Sequence, residues 1–252
     1  MDPFLPVLTF HALDDQPSVI SFSPEVFRCG MAKLHENGYR TMSLSEAVNC
    51  LRRRKPFPAQ SFVITFDDGY QTVYEFAFPV LQDYAMTATI FLTVGKNRRR
   101  NLEERLPQLE SRFMLSWQEI REMQRHGMEF GAHTCTHPDL TCLPMDQIKA
   151  EICDSKKIIE DALGSSVTSF AYPYGQFNDS IRKLVQEHFA CASSDNLGFV
   201  TARSDLYTLK RIDAYYLRTD RLFNLMLTRW FPWYIQMRHI PRWVQRTVKS
   251  GL

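Results

Sequence analysis

The chain has 252 residues, 44% hydrophobic and 23% charged, with a formal net charge of +2. This is ordinary globular composition, long enough to bury a full core. The near-neutral balance excludes wholesale nucleic-acid binding, and no run of about twenty apolar residues is present to cross a membrane as a helix.

The six cysteines, Cys29, Cys50, Cys135, Cys142, Cys153 and Cys191, form no C-x-x-C pair. Their scatter points to reduced thiols rather than a disulfide framework. The start, Met1-Asp2-Pro3-Phe4-Leu5, lacks the basic n-region and apolar stretch of a signal peptide. The expectation is a cytoplasmic protein. Basic clusters at Arg52-Arg53-Arg54-Lys55 and at Lys96 with Arg98-Arg99-Arg100 read as solvated loops and helix ends.

Strand and helix signals alternate. Val7-Leu8-Thr9-Phe10 is a short buried strand. Ser23 and Pro24 open a helix that Gly38 can end. Tyr39 to Leu44 is extended, and Ser45 caps a helix reaching the basic run. Phe62 to Phe66 is a strand, followed by a helix from about Thr72 to Asp83 that Pro79 either kinks or marks at its last turns. Thr87 to Leu92 is a strand, and Gly95 to Phe113 is a polar surface excursion. Ser116-Trp117-Gln118-Glu119 matches a capping box and opens a helix ending near Gly127. Met128 to Ala132 is a strand, Met145 to Leu163 a helix stopped by Gly164, and Thr168 to Tyr172 a strand. Ile181 to Glu187 is helical, and Phe189 to Ala192 and Tyr207 to Ile212 are the last strands. Repeated strand–helix units imply parallel strands with crossover helices. One domain is expected over residues 1–215, with a helical extension over 216–252.

The chemically loaded segments all follow strands, the place where parallel barrels carry their sites. Asp67-Asp68-Gly69 ends the third of these strands, and His133-Thr134-Cys135-Thr136-His137 ends the fifth. Asp68, His133 and His137 make a His₂-carboxylate set that leaves positions open for water and substrate. A bound Zn²⁺-like ion lowers the pKa of water from about 15.7 to about 7. His133 and His137 share a helical face only if their turn is helical. Adjacent side chains on an extended segment diverge, so Asp67 is left to accept a proton from the attacking water. Taken singly, Asp-Asp-Gly also fits a plain turn, and the histidine pair also fits surface or core histidines. Cys135 sits between the histidines, but three ligands exist without it.

The block TFDDGY at 65–70, the block HTCTHP at 133–138 and SFAYPYG at 169–175 resemble the motifs of the polysaccharide deacetylases of the NodB-type domain, carbohydrate esterase family four. The resemblance runs from about Val7 to Ile212. It implies an α/β fold, a distorted (β/α) barrel, and metal-dependent removal of acetyl groups from N-acetylated sugars. It implies Asp67 as general base and Asp68, His133 and His137 as ligands of a divalent metal, Zn²⁺ first, with Co²⁺, Ni²⁺ or Mn²⁺ also suited. It implies that the backbone N–H of Tyr174 stabilises the oxyanion.

Two departures stand out. Many members have an arginine where this chain has Ala171, bracing the base. They also carry a Leu-x-His block supplying the acid, where this chain has Leu209-Lys210-Arg211. His11, whose context resembles the N-terminal segment of the poly-N-acetylglucosamine deacetylase branch, is expected to replace the acid; the alternative is a histidine that hydrogen-bonds at the pocket edge. Arg211 is expected to pair with Asp67 as the brace, or else to form an unrelated surface ion pair, and Asp195 is a further candidate brace.

The tail from Arg229-Trp230-Phe231-Pro232-Trp233-Tyr234 through Arg242-Trp243-Val244 mixes tryptophan and arginine. Either it contacts a bilayer surface, making a lipid-linked glycan a fitting substrate, or it packs its aromatics on the barrel. Two further readings keep the fold and change the function: a non-catalytic saccharide-binding module, and a hydrolase of small amides.

Overall fold

The computed structural model describes residues 4–95 and 104–238. The Lys96–Arg100 cluster and the tail beyond 238, including Arg242-Trp243, therefore lie outside the described residues. Seven parallel strands close into a barrel: β1 (Val7–Phe10), β2 (Ser61–Phe66), β3 (Thr89–Leu92), β4 (Glu129–Ala132), β5 (Ser169–Ala171), β6 (Cys191–Leu197) and β7 (Leu209–Asp213). Each pairs with the next in sequence, and β7 returns to β1 through Ile212↔Leu8, which closes the ring. Arg40–Thr41 adds a short parallel flank at the start of β2.

The strands are continuous apolar runs, buried along their whole length in β1, β2 and β3. That is the pattern of strands covered on both faces. Period-two alternation sorts their side chains. Leu8, Phe10, Phe62, Ile64, Phe66 and Ile90 join the large cluster shared with the helices. Val7, Val63, Phe91, Ala171, Cys191 and Leu209 form a second cluster in the barrel interior. The interior row also holds Thr9 and Thr65, whose hydroxyls are 2.8 Å apart.

Local chemistry places most helix ends where the sequence puts them. Ser116 and Glu119 make a reciprocal capping box at the start of Trp117–Arg125, and Met145–Leu163 ends at Gly164 in the left-handed conformation. Three expectations are corrected. Ser43, not Ser45, caps Leu44–Arg52, because Glu46 lies three residues on and completes its capping box; the Ser45 hydroxyl instead donates to the Glu129 carboxylate. The expected helix from Thr72 begins as a π-helical turn, Val73–Ala77, before Phe78–Asp83, which lets Pro79 sit in the first turn where no N–H is required. The strand expected at Phe189–Ala192 starts at Cys191 and runs on to Leu197. The His133–His137 turn is not helical. In the C-terminal segment, Phe223, Met226, Phe231 and Ile235 are buried in the large core cluster, whereas Trp230, Trp233 and Met237 face outward.

Candidate active site

The interior rows explain the site. One step of two residues beyond Val7–Thr9 stands His11, beyond Val63–Thr65 stands Asp67, and Arg211 follows Leu209. Register brings the first two side by side: Phe10 pairs with Phe66, and the Asp67 N–H donates to the Phe10 carbonyl at 2.9 Å. The strand tips thus deliver these side chains to one mouth of the barrel.

Asp67 is held by Arg211 in a two-pronged ion pair, Nη1–Oδ1 and Nη2–Oδ2 both 2.7 Å. Both residues are 2% exposed. Arg211 is itself gripped by Asp195 at 2.8 Å and by the Ser194 carbonyl at 3.2 Å. Burial alone would push the Asp67 carboxyl up, but Arg211, with His133 and His11, holds it well below the usual carboxylate range. Asp195 packs against Gly175, where any Cβ would meet it at 2.6 Å, so the Tyr174–Gly175 turn and the brace interlock.

Asp68, His133 and His137 converge on one point. The separations are 3.2 Å between the two Nε2 atoms, 3.3 Å from His137 to Asp68 Oδ1 and 3.5 Å from His133 to the same oxygen. Three donors about 2.0–2.1 Å from a tetrahedral ion lie about 3.3 Å apart, so the set fits a divalent cation. Two further observations support the fit. The buried Asp68 Oδ1 has no hydrogen-bond partner among the described residues, and the His133 Nδ1–H donates to the Ala171 carbonyl at 2.8 Å, which leaves the Nε2 lone pair for a metal. Ala171, lacking the arginine side chain, still contributes through its backbone. Burial lowers the pKa of both histidines, which favours the neutral, ligating form.

The backbone is bent to achieve this. Asp68, Thr134, His137 and Tyr174 all have positive φ, between 56° and 73°, each costing about 1–2 kcal/mol. Left-handed Thr134 and His137, not a helix, bring the two imidazoles together. The His137 N–H donates to Thr134 Oγ1 at 3.0 Å and closes the turn. Gly69 turns at φ 89°, with Leu106 and Leu92 about to meet any added Cβ at 2.9 and 3.0 Å.

His11 lies beside the pair. Burial acts against its charged form, but Asp67, Asp68, Asp213 and Asp195 outweigh that and raise its pKa above the ordinary 6.5. Tyr174 is 58% exposed, and its ring stands edge-on to His137 at 4.7 Å. All seven expected site residues therefore gather at one mouth. Cys135 is buried in the core outside the ligand set. Glu151, a buried carboxylate beneath the histidine turn, escapes sequence reasoning; its signal is an acid on the buried face that Ile148, Ile152 and Ile159 mark on its helix.

A family model described as polysaccharide deacetylase matches residues 54–189, just over half of the chain. The Bacillus subtilis protein YxkH, a polysaccharide deacetylase by name, is 30% identical over 209 residues, covering 82% of this chain and 70% of its own. A Staphylococcus aureus poly-β-1,6-N-acetyl-D-glucosamine N-deacetylase is 28% identical over 228 residues, covering 83% and 72%. The structure of the Streptococcus pyogenes deacetylase PplD in complex with acetate superposes with a TM-score of 0.75 at 27% identity, over 84% of this chain and 93% of that one.

Proposed function

This chain belongs to the polysaccharide deacetylase family, and from that premise we propose that it removes N-acetyl groups from a glycan of β-1,6-linked N-acetylglucosamine through a metal-assisted attack of water. The observation that carries the reading is the joint presence of an intact ligand triad and an arginine-held carboxylate at one barrel mouth. A binding module has no use for the second.

A divalent ion held by Asp68, His133 and His137, which we take to be Zn²⁺, would supply Lewis-acid polarisation of the acetyl carbonyl and a lowered pKa for water. Asp67, kept ionised by Arg211, takes the proton of the attacking water as the C–O bond forms. His11, whose pKa the surrounding carboxylates raise, gives its proton to the amide nitrogen as the C–N bond breaks, so the amine leaves neutral. The backbone N–H of Tyr174 donates to the acetyl oxygen as charge grows there, an interaction typically worth about 2.7–4 kcal/mol.

The outward Trp230, Trp233 and Met237, 57%, 59% and 46% exposed, share one helical face flanked by Arg229 and Arg238. Such a face suits anionic lipid, and it supports a lipid-linked form of the glycan as substrate. All six cysteines are free thiols, which supports a reducing compartment. The test is release of acetate, matched by new amines, from a panel of acetylated glycans. Poly-β-1,6-N-acetylglucosamine is expected to be cleaved best; preference for O-acetyl esters or for small free amides would contradict the proposal.

A further inference from the structure

Beneath the histidine turn lies a carboxylate that the chemistry above does not use. Glu151, in the middle of Met145–Leu163, is 3% exposed. Its Oε2 accepts the backbone N–H of Cys135 at 2.9 Å and of Thr136 at 2.8 Å, and its Oε1 accepts the Thr136 hydroxyl at 2.8 Å. These donors belong to the two residues midway between His133 and His137. The turn that carries them has no regular hydrogen-bonded structure, and Thr134 and His137 on either side are left-handed. The His137 N–H closes the turn onto Thr134 Oγ1, the Val94 and Gly95 N–H groups donate to the Thr134 and Cys135 carbonyls at 3.4 and 2.7 Å, and the Glu151 set holds the N–H side of the turn.

We infer that Glu151 is a positioning residue that sets metal affinity by holding the His133–His137 turn in its strained ligating shape. This rests on the metal-site reading above. A left-handed threonine and a left-handed histidine three residues apart would relax if released, and relaxation would part the two Nε2 atoms. A carboxylate accepting backbone N–H groups in a dry site forms charge-assisted bonds roughly twice as strong as neutral ones. Removing the acceptor takes the partner from the buried Cys135 N–H and the part-buried Thr136 N–H, so the turn moves to find others. Glu151 touches no ligand atom itself; it acts through the backbone, as outer-shell partners of metal sites do.

The test is metal affinity, read without turnover. The purified 252-residue chain is stripped, and its Kd for Zn²⁺ is measured by competition with a chromophoric chelator, with Co²⁺ absorption as a report of ligand geometry. Glu151→Met keeps the volume and removes every acceptor; affinity is expected to fall by about tenfold to a hundredfold, and the Co²⁺ spectrum to change. Glu151→Gln keeps an acceptor for the two N–H groups and is expected to recover most of the loss. Should Glu151→Met fail to fold, Thr136→Val at an exposed position removes one tie alone; a drop of about threefold or more, restored by Thr136→Ser, supports the inference. Wild-type Kd and spectrum in a folded Glu151→Met or Thr136→Val chain would overturn it, as would Glu151→Gln as weak as Glu151→Met. A wild-type chain that binds neither ion would instead overturn the metal-site reading itself, and the inference with it.

Discussion

Arg211 reaches across the barrel to grip Asp67 with both arms of its guanidinium, each at 2.7 Å. The pair is buried, and Asp195 steadies the arginine from the other side. The arginine comes from β7, not from position 171, where the family pattern would place it. Ala171 itself is buried at 0% exposure, and it serves the site through its backbone carbonyl instead.

The pairing fixes a sign. Arg211 lowers the pKa of Asp67, and the base works deprotonated, so removing the arginine must move the acid limb of activity upward. Arg211→Met should shift that limb of the kcat/KM profile up by about one to three pH units. It should also destabilise the fold by about 3–5 kcal/mol, since Asp67 is left as a buried unpaired charge. A pH–rate profile and a urea titration read the two effects separately; an unmoved acid limb would show that Arg211 does not tune the base. Arg211→Lys should rescue only in part, because an ammonium cannot repeat the two-pronged geometry.

Asp67→Asn should cost about 10²–10⁴-fold in kcat while metal content stays at the wild-type level. Metal analysis of the purified variant beside its turnover checks this. Loss of metal together with activity would make Asp67 a ligand and not a base.

His11 is predicted to act protonated, with a pKa raised by the carboxylates around it. Activity should therefore fall as pH rises through that pKa, and the alkaline limb should lie above the ordinary 6.5. His11→Ala should lower kcat by about 10²-fold or more and remove that limb, with metal content unchanged. Near-wild-type turnover in this variant would sink the acid assignment.

Trp230→Ala with Trp233→Ala should weaken sedimentation with anionic vesicles by roughly tenfold and leave hydrolysis of a soluble glycan intact. Phe231→Ala, by contrast, opens a cavity beside Phe199 and should cost about 3–5 kcal/mol of stability. Equal vesicle binding by the double variant and the parent would leave the outward tryptophans without a lipid role.

Local signals explain what was legible. The capping box at Ser116, the glycine stop at Gly164 and the apolar runs of β1 to β3 are each written in a few adjacent residues, so the strand–helix alternation follows directly. The acid pair and histidine pair were legible because each follows a strand end. Three things were not. The cap at Ser43 was missed because Ser45 competes two residues away, and only Glu46 decides between them. The turn from His133 to His137 depends on left-handed Thr134 and His137, which neither residue type favours; tertiary ties enforce it. Glu151 acts from another element, so no spacing in the chain links it to the histidines, whereas Asp195, a candidate brace from its place near a strand end, does hold Arg211. Arg211 lies between these cases: a missing residue at 171 suggested a substitute, but only register on β7 shows that it reaches Asp67.

A metal-dependent de-N-acetylase site at this barrel mouth loses its activity with its ion. The most direct test measures acetate release from oligomers of β-1,6-linked N-acetylglucosamine on one preparation in three states: as purified, stripped with chelator, and restored with stoichiometric Zn²⁺. The expected result is release that disappears on stripping and returns with about one ion per chain, while His133→Ala neither binds the ion nor recovers. Release that continues undiminished in the stripped chain, or none in any state, would contradict it.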